Sequence, residues 1–78
     1  INQQIMEIFV FRTGINKHEQ IQTVAPILNS ISGITKWNFD LDDHENILRI
    51  EAAGISPRSI EDTLLKANYY CEELSDWF

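Results

Sequence analysis

The stretch Lys36-Trp37-Asn38-Phe39-Asp40-Leu41 alternates strictly, with Trp37, Phe39 and Leu41 on one side and Lys36, Asn38 and Asp40 on the other. A period of two is that of a half-buried β-strand. The polar residues Asp42, Asp43, His44, Glu45 and Asn46 follow as a turn. Residues 47–52 then form a second strand, with Leu48 and Ile50 on its inner side. The two strands read as an antiparallel hairpin.

Outward from the hairpin the period changes to that of helices. On the N-terminal side, Ile21, Val24, Leu28 and Ile31 recur at spacings of three and four, with Ile27 beside them. That is one apolar helical stripe. Asn16 is the expected N-cap, with Glu19 three residues on to complete a capping box. Pro26 lies inside the stripe, removes the bond to the Gln22 carbonyl and predicts a kink. Ser32-Gly33 ends the helix. On the C-terminal side, Ser56-Pro57 supplies an N-cap and a first-turn proline. Ile60, Leu64 and Ala67 give the second helix its core face, and Asn68 is suited to a left-handed C-cap. Residues 6–12 and 69–74 supply the outer strands, the first ending at the turn signal Thr13-Gly14.

The order is βαββαβ. Two βαβ halves with right-handed crossovers predict a four-stranded antiparallel sheet with both helices on one face, the ferredoxin-like α+β sandwich. Phe9, Phe11, Trp37, Phe39, Leu48, Ile50 and Cys71 are expected to point toward the helices. The single domain spans residues 6–74, with an N-terminal extension at 1–5 and an aromatic tail at 75–78.

Composition narrows the function. The chain has 78 residues, 44% of them apolar and 23% charged, which is ordinary globular material. So small a domain buries only about 60–65% of the surface its unfolded chain exposes, so its stability margin is thin. Six basic against twelve acidic residues give a net charge of −6, the wrong sign for a phosphate backbone, so no nucleic-acid partner is expected. One cysteine excludes an intrachain disulfide and a paired-cysteine zinc site. No apolar run approaches a membrane span, and the first residues do not read as a signal peptide, although the chain begins at Ile1 and a leader or tag before it is conceivable. A cytoplasmic location is expected. No phosphate loop, Ser/His/Asp set or Cys/His pair supports an enzyme.

From Phe11 to Leu74 the chain resembles the heavy-metal-associated domains of copper chaperones and metal-transporting ATPases. Ser32-Gly33-Ile34 matches the family's Pro-Gly-Val after the first helix, and Ala67-Asn68-Tyr69 matches its Ala-Gly-Tyr after the second. Phe11-Arg12-Thr13, Pro26 and Ile34-Thr35-Lys36-Trp37 are especially similar to small stand-alone bacterial members. The resemblance implies a metal loop, in the family Gly-Met-x-Cys-x-x-Cys, at Gly14-Ile15-Asn16-Lys17-His18-Glu19-Gln20. Lys17 and Gln20 occupy its two cysteine positions. Copper(I) requires soft thiolates there, and neither an ammonium nor a carboxamide is one. The loop is therefore expected to keep only its capping role. A sharper alternative is that Lys17 supplies in place the positive charge a metal would bring.

Other candidates are weighed against plainer roles. Cys71 reads as a small buried hydrophobe. His18 and His44 fall at one end of the sandwich, with Asp42, Asp43 and Glu45 nearby. Imidazole and carboxylate groups suit zinc or copper(II), but solvated turn residues are the default. The acidic run at 40–45 reads first as a charged cap protecting an edge strand.

The open sheet face is the remaining signal. Ile8, Val10, Ile47 and Tyr70 are expected there as an apolar cluster, with Trp77 and Phe78 as anchors. The leading expectation is a domain without a thiolate site or cofactor, acting as a protein-interaction or self-association module, a homodimer included. The alternative is a metal-trafficking domain that binds copper or zinc through His18, His44, Asp42 or Asp43, or through a partner's ligand.

Overall fold

A computed structural model describes residues 5–42 and 44–74. The chain forms β1 (Glu7–Thr13), α1 (His18–Ser30), β2 (Ile34–Asp40), β3 (Ile47–Ala52), α2 (Pro57–Lys66) and β4 (Cys71–Glu73). The strands make one antiparallel sheet in the order β2-β3-β1-β4. This is the expected ferredoxin-like sandwich. Each helix connects two strands that are separated by one other in the sheet, α1 joining β1 to β2 and α2 joining β3 to β4, which lets the two hydrophobic stripes cover one sheet face.

That face holds the core. Phe11, Ile15, Val24, Leu28, Leu48, Ile50, Ile60 and Leu64 are fully buried, and Phe9 and Cys71 nearly so. Phe9 and Phe11 meet edge to face with ring centroids 6.4 Å apart. Trp37 and Phe39 join the cluster from β2 but stay half-buried, because β2 is an edge strand with sheet on one side only.

The helix ends follow from local chemistry. Ser56 caps α2 by accepting the Ser59 N–H, Pro57 occupies its first turn, and Asn68 adopts φ 70° just past its end. Gly33 takes φ +102° between α1 and β2. Gln22 and Pro26 are both exposed, so the carbonyl left without a helical donor is on the solvent side of α1.

Three expectations need correction. The N-cap of α1 is Lys17, one residue later than Asn16. The last strand is only three residues long rather than spanning 69–74. The outer sheet face is also less open than its alternation implies. Ile8 and Tyr70 are exposed, at 68% and 49%, but Val10 is 8% exposed and Ile47 is fully buried. Both lie on inner strands of the sheet, β1 and β3, where charged neighbours flank them. Arg12 is opposite Ile47 and Arg49 opposite Val10, and long charged side chains can cover apolar surface with their stems.

Candidate functional site

The loop between β1 and α1 is held by its own side chains. Thr13 is almost fully buried at the end of β1. Its hydroxyl donates to the Asn46 carbonyl at 2.7 Å and accepts the Ile15 N–H at 3.2 Å. Gly14 N–H donates to the Tyr70 carbonyl at 3.2 Å, and Ile15 plugs into the core. One end of the sandwich thus gathers the β1–α1 loop, the β2–β3 turn and the start of β4.

Gln20 then closes the loop. Its side-chain Oε1 accepts the backbone N–H of Asn16 at 2.8 Å and of Lys17 at 3.1 Å. This is the return half of a capping box, with Gln at the third helical position. The forward half is missing, because the Lys17 ammonium has donors only and cannot accept a backbone N–H. Glu19 lies in the first turn, where negative charge complements the helix dipole. The two amides just before this helix, those of Asn16 and Lys17, are therefore already engaged from within the chain.

Beside the loop, Arg12 links three segments. Its guanidinium binds Glu45 of the β2–β3 turn through Nε at 2.7 Å and Nη2 at 2.5 Å, and reaches Glu72 after β4 begins at 3.4 Å. Tyr70 donates its hydroxyl to Glu72 at 2.7 Å. The Glu45 contact holds the Arg12 pKa above its ordinary value, and the bond to Glu72 raises that of Tyr70. The acidic run is thus partly consumed in pinning the sheet's end: Asp40 also accepts the Asp42 N–H and pairs with Arg49 at 3.8 Å.

Cys71 is buried behind this end, and burial first, then Glu61, pushes its thiol up to about 12. Such a thiol is protonated at neutral pH, which makes it a poor nucleophile. His18 and His44 are exposed. Among the described residues no group of three or more His, Cys, Asp or Glu side chains is arranged to hold a metal ion. Asp43, Trp77 and Phe78 lie outside the described residues.

The connection from β1 to α1 is legible from the Thr13-Gly14 turn signal, but its closure by Gln20 is not. Asn16-x-x-Glu19 and Lys17-x-x-Gln20 have the same spacing, and cap preference favours the first. The buried Thr13 was missed because it ends a strand that reads as apolar; a small hydroxyl residue just before Gly14 is the signal available for it.

The geometry matches a known module. A solved structure described as the apo form of the HMA domain of copper chaperone for superoxide dismutase superimposes with a TM-score of 0.76. The match covers 95% of this chain and 72% of that one at 11% sequence identity. No protein-family model matches the sequence, and no curated protein is similar to it at a significant level. No helix among the described residues is long and apolar enough to cross a membrane. The chain has the ferredoxin-like fold of a heavy-metal-associated domain.

Proposed function

We propose that this chain is a heavy-metal-associated-like domain whose metal loop has become a self-capped turn, and that it acts in protein interaction, including self-association, rather than in catalysis or metal transfer. One observation carries this reading. At the second of the two positions where the resembled family places cysteine, Gln20 turns its side chain back onto the loop's own amides. Lys17, at the first position, adds a cation where a metal would have to bind. Ile8 and Tyr70 offer exposed apolar surface for a protein partner. Val10 and Ile47 would support it from beneath. Trp77 and Phe78 remain proposed anchors. A cytoplasmic setting suits a chain whose one cysteine is a reduced, buried thiol.

The fold neighbour is a copper chaperone domain, which motivates the competing reading that this chain carries copper or zinc through His18, His44, Asp42 or Asp43. Titration of the reduced protein with copper(I) under a competing chelator, and separately with zinc, decides between them. The expected outcome is no binding tighter than about 1 μM for either ion. The double variant Lys17→Cys/Gln20→Cys is expected to bind copper(I), since it restores two soft ligands. Tight stoichiometric binding by the unaltered chain overturns the proposal.

A further inference from the structure

Among the described residues the seven-residue strand β2 is the long free edge of the sheet, whereas the other edge, β4, has three residues. An unpaired edge of that length is a template for a further strand. Two observations say which strand fits. First, Trp37 and Phe39 on the helix side of β2 stay half-buried, while Leu48 and Ile50, which pair with them on β3, are fully buried. The rings stack edge to face, 5.9 Å apart, and Trp37 is fixed by an Nε1–H bond of 2.9 Å to Asn29 of α1. Second, the opposite side of β2 carries Lys36, Asn38 and Asp40. Among the described residues Lys36 has no ion-pair partner, and Asp40 has one, Arg49 at 3.8 Å, besides the Asp42 N–H that it accepts.

We propose that a second copy of this chain adds antiparallel along β2, in a two-fold register centred on Asn38, to make a continuous eight-stranded sheet with all four helices on one side. A self-paired strand keeps its faces matched only when the axis passes through a residue, because directly opposed side chains share a face. Centring on Lys36 sets two ammonium groups against each other. Centring on Trp37 sets Ile34 opposite Asp40 and leaves Lys36 opposite Asn38. Centring on Asn38 sets Lys36 opposite Asp40 on one face and Trp37 opposite Phe39 on the other. Symmetry makes each pair twice. Opposite charges and aromatic pairs are the cross-strand combinations that stabilise a ladder, and an isologous two-fold contact closes on itself. The inference rests on the self-association part of the proposed function but places the contact at the sheet edge rather than on the outer face.

The register makes a test by single cysteines. Directly opposed residues have Cα atoms about 4.5–5.5 Å apart, inside the range a disulfide bridges. Asn38 is exposed and opposes its own copy. Thr35 is also exposed, but in this register its copy lies several residues away along the strand. Under mild oxidation Asn38→Cys is expected to form a covalent dimer at least about tenfold faster than Thr35→Cys. The buried Cys71 serves as a silent background in both. In sedimentation, Lys36→Glu is expected to weaken the dimer and the exchange Lys36→Asp/Asp40→Lys to restore it, with circular dichroism confirming that each variant is folded. Equal cross-linking rates overturn the register. A dimer indifferent to Lys36→Glu but lost with Ile8→Glu overturns the edge contact while leaving self-association in place. A monomer up to about 1 mM chain removes both.

Discussion

At the scale of single residues, Gln20 and Cys71 show how a side chain's donors, acceptors and burial settle its role. Gln20 satisfies two amides just before α1, those of Asn16 and Lys17, with one oxygen. Gln20→Ala is expected to cost about 0.5–2 kcal/mol in urea denaturation, the range for losing a helix cap. Gln20→Glu keeps the acceptor, adds charge favourable to the dipole and is expected to retain stability. That off-by-one closure was not legible, because Lys17 gives no sign in sequence of being an N-cap. Cys71, by contrast, was legible as a small buried residue from its place in an alternating strand. Its thiol is raised from 9.0 to about 12 by burial and by Glu61. A raised folded pKa means that the stability from the neutral thiol is full below pH 9.0 and lost as pH climbs toward 12. The slope from this group is about 1.4 kcal/mol per pH unit in that window. Cys71→Ala is therefore expected to show a shallower fall in stability above pH 9, measured by chemical denaturation at several pH values. Identical slopes in both proteins would mean that the thiol is not buried in its neutral form.

At the scale of elements, the parts most legible in sequence were those whose signals are local. The alternation in β2 and β3, the Ser56-Pro57 start of α2 and the left-handed Asn68 beyond it all depend on neighbours within a few residues. The parts that were not legible depend on distant ones. β4 shortens to Cys71–Glu73, where its ladder to β1 runs only from Thr13 to Phe11. β2 carries an irregularity between Ile34 and Lys36, where the Thr35 hydroxyl bonds the Glu51 carbonyl at 3.0 Å. The α1–β2 connection offers a sharp test of element geometry. Gly33 has φ +102°, and a Cβ there would come within 2.9 Å of both the Ala53 carbonyl oxygen and Ile55 Cγ2. Its own carbonyl accepts the Ala53 N–H at 2.9 Å, so the backbone cannot easily retreat. Gly33→Ala is expected to cost more than about 1 kcal/mol. At Gly14 the nearest atom to a new Cβ is Tyr70 Cβ at 3.5 Å, an ordinary contact. Gly14→Ala is expected to change stability by less than about 0.5 kcal/mol. Thermal or urea melts of the two variants measure the contrast directly.

At the scale of the whole molecule, alternation in β1 assigned its two faces but not how far each is covered. Phe9 and Phe11 face the helices as the period requires. Val10 and Ile47 on the other face are buried and lie opposite Arg49 and Arg12 in the sheet, a long-range arrangement that residue order does not disclose. A domain of this length has a total stability of roughly 4–12 kcal/mol, so one core truncation removes a large share of it. Phe11→Ala is expected to cost about 3–5 kcal/mol. Ile47→Ala is expected to cost about 2–5 kcal/mol although it lies on the face away from the helices, because it is fully buried. Ile8→Ala, on the same outer face of the neighbouring strand but 68% exposed, is expected to change stability by less than about 0.5 kcal/mol. Urea denaturation of the three variants, at one protein concentration so that any self-association affects all alike, gives the order Phe11, Ile47, Ile8. If Ile47→Ala proved as mild as Ile8→Ala, the outer face would be open in solution. The apolar surface available to a partner would then extend from Ile8 across Val10 to Ile47.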